Sequence, residues 1–163
     1  MNELQLIRAQ LTLERQHAAE VVRSLAERVA IESFRSIAAD YLAWVLSRFE
    51  ERDQVFHDLL RKRFTTEDSS RRTAEAALAL PGSSREALIK LETALGSKDG
   101  GAWQEFQHFF TGPWCNRRDE IDRLFERQAK VTDWRTVSDI DADSIVDERG
   151  RYARVSAARP SSP

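Results

Sequence analysis

Three histidines stand in this chain, each three or four residues from a carboxylate: Glu14 with His17, Asp53 with His57, and Glu105 with His108. At those spacings both members of a pair project from one side of a helix. Imidazole nitrogen and carboxylate oxygen together suit iron, manganese or zinc, so the six residues are candidate metal ligands. Helical phase then separates them. At about 100° per residue, Glu14 falls in line with Leu4, Leu11, Ala18 and Leu25 and faces inward. His57 lies about a third of a turn from the stripe of Tyr41, Val45 and Leu59, and His108 lies nearly opposite Phe106.

The same phase places two further charges on apolar stripes. Arg52 is in line with Tyr41, Val45 and Leu59, and Arg118 with Trp114, Ile121 and Phe125. A buried ion must be paired, because losing its water costs several kcal/mol that only good geometry returns. Two arrangements satisfy that requirement. Glu14 can bridge one or both arginines in a closed structural network. Alternatively Arg52 and Arg118 hold an anionic ligand, since guanidinium forks grip carboxylate and phosphate.

Other polar clusters read as structure. Asp139, Asp141, Asp143 and Asp147 begin like a calcium loop, but Ser144 stands where the sharp turn needs glycine and Gly150 where a closing glutamate is required. Acidic residues at a helix start interact favourably with its dipole, so a capped short helix is expected there. Cys115 precedes Asn116, Arg117 and Arg118; with no histidine nearby in sequence to act as base, it reads as packing. The basic cluster Arg61, Lys62 and Arg63 falls at a predicted helix C-terminus, where positive charge offsets the dipole. Phosphate-binding glycine loop, dinucleotide fingerprint, nucleophile elbow and paired Cys-x-x-Cys are all missing from the sequence.

The elements that must position these residues are helices. Neither glycine nor proline occurs before Pro81, and good helix formers dominate. Apolar recurrence predicts a helix over 2–30, a tight turn capped by Ser33, and a second long helix reaching 64. Shorter helices are predicted over 71–80 and 85–95, and an aromatic-rich one from 102 onwards. Gly112 and Pro113 predict a kink or restart before the segment 114–130. Beyond 132 the chain is expected to leave the bundle, form a short helix from about 141, and end in a disordered tail.

The 163 residues suffice for one domain, and 41% hydrophobic content supplies a single core. The expected fold is all-α: an antiparallel bundle of four to five helices over 1–132, with an irregular, partly disordered C-terminal extension over 133–163. Basic and acidic residues number 25 and 27, so no positive excess favours nucleic acid. No long apolar run or apolar leader is present, which points to a cytoplasmic protein without membrane contact.

By elimination, the leading expectation is a non-catalytic helical protein without a cofactor, acting through a protein partner or self-association in an adaptor, accessory or regulatory role. A second reading uses Glu14, His17, Asp53, His57, Glu105 and His108. Without sharing a contiguous motif, they resemble in architecture the di-metal sites of ferritin-like and hemerythrin-like bundles, which implies oxidoreductase or metal-storage activity. A third reading is a cleft in which Arg52 and Arg118 bind a small anion.

Overall fold

The computed structural model describes residues 2–97 and 100–161. Eight α-helical segments occupy them: α1 (Glu3–Glu27), α2 (Glu32–Arg63), α3 (Ser69–Leu78), α4 (Ser84–Gly96), α5 (Gly100–Phe109), α6 (Cys115–Gln128), α7 (Val131–Ser138) and α8 (Ala142–Ala158). A π-helical turn, Phe110–Trp114, joins α5 to α6 without a break, so the segments make seven rods rather than the four or five expected. No strand occurs among the described residues, and none of these helices is long and apolar enough to cross a membrane.

Local chemistry sets most of the boundaries. Asn2 and Gln5 exchange bonds in a capping box that starts α1. Asp68, Ser83 and Asp141 cap α3, α4 and α8 by accepting from backbone N–H groups that the helix itself leaves unpaired. The turn between α1 and α2 comes earlier than Ser33: α1 stops at Glu27, and Ile31 starts α2 without any side-chain cap. Ser33 lies inside the helix, and Phe34, wholly buried one residue later, fixes the entry of the chain instead.

At Pro113 the expected kink is replaced by the π-helical turn. Proline has no N–H and crowds the carbonyl four residues earlier. Widening the turn by one residue relieves that crowding, and the Cys115 N–H reaches back to the Phe110 carbonyl. Against this widened turn sits Gly82, with φ of 104°. A Cβ at that position would lie 2.1 Å from the Pro113 carbonyl oxygen, so only glycine fits. Beside it, the buried Trp114 Nε1 donates to Ser84 Oγ at 3.0 Å, fastening the start of α4 to the same turn.

Segment 133–161 corrects the expectation of an irregular extension, and the last two residues of the tail expected to be disordered, 162 and 163, lie outside the described residues. It forms most of α7 and all of α8, which bury Trp134, Val137, Ile145 and Val155 against α1 and α2.

The core consists of two apolar clusters. One gathers Ala18 to Leu25 of α1, Phe34 to Phe49 of α2, inner residues of α4, the aromatics Trp103, Phe106, Phe110 and Trp114, and Val155. The other gathers Ile7, Phe56, Leu60, Ala74, Ala77, the α6 residues Ile121, Leu124 and Phe125, and Trp134 to Ile145. Where each rod passes from one cluster to the other it places polar residues inward: Gln10 and Glu14 on α1, Arg52 and Asp53 on α2, Arg117 and Arg118 on α6, and Glu148 on α8. A buried polar layer thus crosses the molecule between two greasy halves.

Candidate functional site

The polar layer borders a cleft of about 280 Å³ that lies between α1, α2, α6 and α7. Its existence follows from how α6 is seated. This helix packs closely on α3 and the π-helical turn, and reaches α1 and α2 mainly through long side chains. Arg8 of α1 bonds Glu126 of α6 at 2.6 Å, and Arg15 bonds Asp119 at 2.5 Å and Asp122 at 3.3 Å, so these ion pairs bridge the mouth. Leu11, Phe49, Phe56, Ile121, Phe125 and Trp134 form the apolar walls.

Arg52 and Arg118 both line this cleft, and Glu14 stands immediately behind it. Glu14 is wholly buried and accepts from Arg52 Nη1 at 2.6 Å and from Arg48 Nη2 at 3.4 Å. Arg52 Nε donates to the Ser138 carbonyl at 2.8 Å, which ties α2 to the last turn of α7. Arg118 is bound differently. Its Nη2 donates to Asp53 Oδ1 at 2.9 Å and its Nε to Asp122 Oδ1 at 3.0 Å, while the other Asp53 oxygen takes Arg117 Nη1 at 3.0 Å. The two guanidiniums also share the face of Phe49, at 5.5 Å for Arg52 and 5.3 Å for Arg118.

The two arginines differ in how well they are neutralised. Burial lowers the pKa of Arg52, and Glu14 opposes that only in part, with Arg48 and Arg118 adding repulsion. Arg118 is buried as well, yet Asp53 and Asp122 hold its pKa above the ordinary arginine value. Both remain charged, since a guanidinium does not lose its proton in proteins. Six buried side-chain polar atoms have no hydrogen-bond partner among the described residues, and two of them, Arg52 Nη2 and Ser138 Oγ, belong to residues that line this cleft. Arg52 is 6% exposed and Ser138 1%.

The proposed metal ligands go to separate partners. Glu14 and Asp53 are taken up by arginines as described. His17 turns to α8, where its Nδ1 meets Glu148 Oε1 at 2.5 Å and its ring stacks on Tyr152 at 3.6 Å. His57 lies 3.8 Å from Glu75, and Glu105 and His108 are exposed on α5. Among the described residues no three His, Cys, Asp or Glu side chains converge as metal ligands would. The physical reason is phase: spacing of three or four sets both members of a pair on one face, but these faces do not look at one another.

No protein-family model, curated protein or solved structure matches this chain. The site therefore has to be read from its own chemistry.

Asp53 was picked out by its spacing to His57, whereas its actual role is to join Arg117 to Arg118. Its own phase gave the signal, being in line with Leu46, Phe49, Phe56 and Leu60. Arg117, Ser138 and Glu148 were missed. Glu148 had a readable signal in Ile145, Glu148, Tyr152 and Val155, spaced three, four and three. Ser138 had none, because it enters through a carbonyl and a hydroxyl at a helix end.

Proposed function

We propose that this protein is a non-catalytic helical binding protein that takes a small anionic ligand in the cleft beside Arg52. One observation carries the reading: Arg52, a buried residue that lines the cleft and whose Nε and Nη1 are engaged, has no acceptor for its Nη2 among the described residues. An unmet charged donor is costly in a protein interior, and an incoming anion removes that cost. Binding rather than catalysis is favoured because the cleft lining holds no histidine, cysteine or lysine. Its carboxylates, Asp53, Asp122 and Glu126, are each committed to arginine.

The expectation of a protein partner has no comparable support. The large exposed apolar side chains include Leu6, Ile37, Val55, Ile89, Val131 and Val146, and they are spread over five helices.

Thermal unfolding with and without 10 mM phenylacetate, phenyl phosphate or benzenesulfonate tests the proposal. A ligand present at ~100 times its Kd adds about 2.7 kcal/mol, enough to raise the midpoint by several degrees. Arg52→Lys keeps a cation near Glu14 but removes Nη2, and is expected to abolish the shift while remaining folded. The proposal fails if none of the three anions shifts the parent, or if the Arg52→Lys shift equals the parent's.

A further inference from the structure

We infer that the ligand of this cleft is a monocarboxylate carried on a compact, largely aromatic body; this rests on the reading of the cleft as an anion site and adds the ligand's charge and shape. The first argument is local electroneutrality. The charges around the cleft fall into three groups joined by ion pairs. Arg8 with Glu126 is neutral. Arg15, Arg117 and Arg118 with Asp53, Asp119 and Asp122 are neutral as well. The third group, Arg48 and Arg52 on Glu14, has one more positive than negative charge in its ion pairs, while Asp141 acts on Arg48 from outside it and the buried Glu148 acts, with Glu14, on Tyr41. The site therefore has room for little negative charge: a dianion would add more than a monoanion close to Glu14, Asp53 and Glu148, in surroundings where like charges repel strongly.

The second argument is the donor set. Arg52 Nε and Nη1 are engaged, so the guanidinium has no free edge for a fork-to-fork grip on phosphate. What lacks a partner among the described residues is Nη2 and, on the helix end that Arg52 itself holds, the Ser138 hydroxyl. Two separate donors suit the two oxygens of a carboxylate.

The third argument is size. The cleft's 280 Å³ lies just below the ~300 Å³ at which pockets for drug-sized ligands begin. One ring with a short acid arm is the scale of body it admits. Phe49, Phe56, Phe125 and Trp134 offer ring faces and edges to such a body, and a charged head with no apolar part would leave those walls uncovered.

Calorimetric titration of the full chain at pH 7.5 separates the possibilities, using phenylacetate, phenyl phosphate, phenylacetamide and acetate as probes. The expected order is phenylacetate at least tenfold tighter than both phenyl phosphate and acetate, with no detectable binding of the neutral amide. Ser138→Ala is expected to weaken phenylacetate about tenfold to a hundredfold, the range for a hydrogen bond to a charged group. Because the Ser138 hydroxyl has no partner among the described residues, this variant is expected to keep the parent's thermal midpoint. Phenyl phosphate binding as tightly as phenylacetate overturns the monocarboxylate assignment while leaving the anion site standing. Acetate binding as tightly as phenylacetate, or amide binding unaffected by loss of charge, overturns it too. Failure of every anion to bind overturns the anion site itself.

Discussion

Replacing Asp53 by alanine removes the carboxylate that two buried guanidiniums share. Asp53, Arg117 and Arg118 are 5%, 7% and 6% exposed, and both Asp53 oxygens are occupied, at 3.0 Å and 2.9 Å. After the substitution Arg118 keeps Asp122, but Arg117 keeps only the Leu78 carbonyl. Breaking a buried pair by deleting one partner costs about 3–5 kcal/mol, since the remaining charge stays out of water. For a chain of this length each kcal/mol moves the thermal midpoint by ~2–4 °C, so a fall of about 10 °C is expected. Urea unfolding followed by far-UV circular dichroism gives the free energy directly, with Asp122→Ala as the internal control. Asp122 is half exposed, so solvent screens its pairs with Arg15 and Arg118 and its loss is expected to cost clearly less than that of Asp53. If Asp53→Ala and Asp122→Ala lose equal, small amounts, the buried layer is not an energetic unit and the argument built on it is refuted.

Two further outcomes follow from the same structure. Gly82→Ala meets both a left-handed backbone and the Pro113 carbonyl, and should lower stability by more than ~2 kcal/mol; an unchanged urea midpoint would show that the contact at the π-helical turn is slack. Asp133 lies in a setting where burial would raise its pKa, but Arg63 at 2.9 Å and the Lys130 N–H at 2.7 Å hold it below the usual aspartate value. A lowered carboxyl pKa contributes stability above the unfolded-state value, lost as pH falls through the folded one. The anchoring of α7 should therefore weaken below about pH 4, and Asp133→Asn should show a smaller loss between pH 7 and pH 3 in urea titrations.

Much of the layout was legible from periodicity alone. The phase of Glu14, Arg52 and Arg118 against their apolar neighbours marked them as inward-facing, and all three are buried. Start signals were legible where a side chain makes the start, as at Asp141. They were read less well where packing makes it, as at Ile31. The three histidine pairs illustrate the limit: a spacing within one helix is local information, whereas convergence of faces from different helices is tertiary and leaves no mark in a single segment. For α8 the acidic start and the spacing of Ile145, Glu148, Tyr152 and Val155 were legible, whereas its packing on α1 and α2 is tertiary and was not.

The π-helical turn at Phe110–Trp114 makes the local residue count a structural variable. Such a turn amounts to one residue more than an ordinary helix would hold. Deleting that extra residue would restore ordinary winding while leaving the phase of α6 nearly as it is, so Arg117 and Arg118 would still face Asp53. Deleting a residue from the ordinary turns just after it would instead swing everything downstream by about 100° and turn Phe125 away from Phe56. The segment thus works as a slack turn that takes up one residue while the two ends of one long rod keep a common gauge. A redesign that trims the rod is absorbed at this turn and misaligns the far end anywhere else.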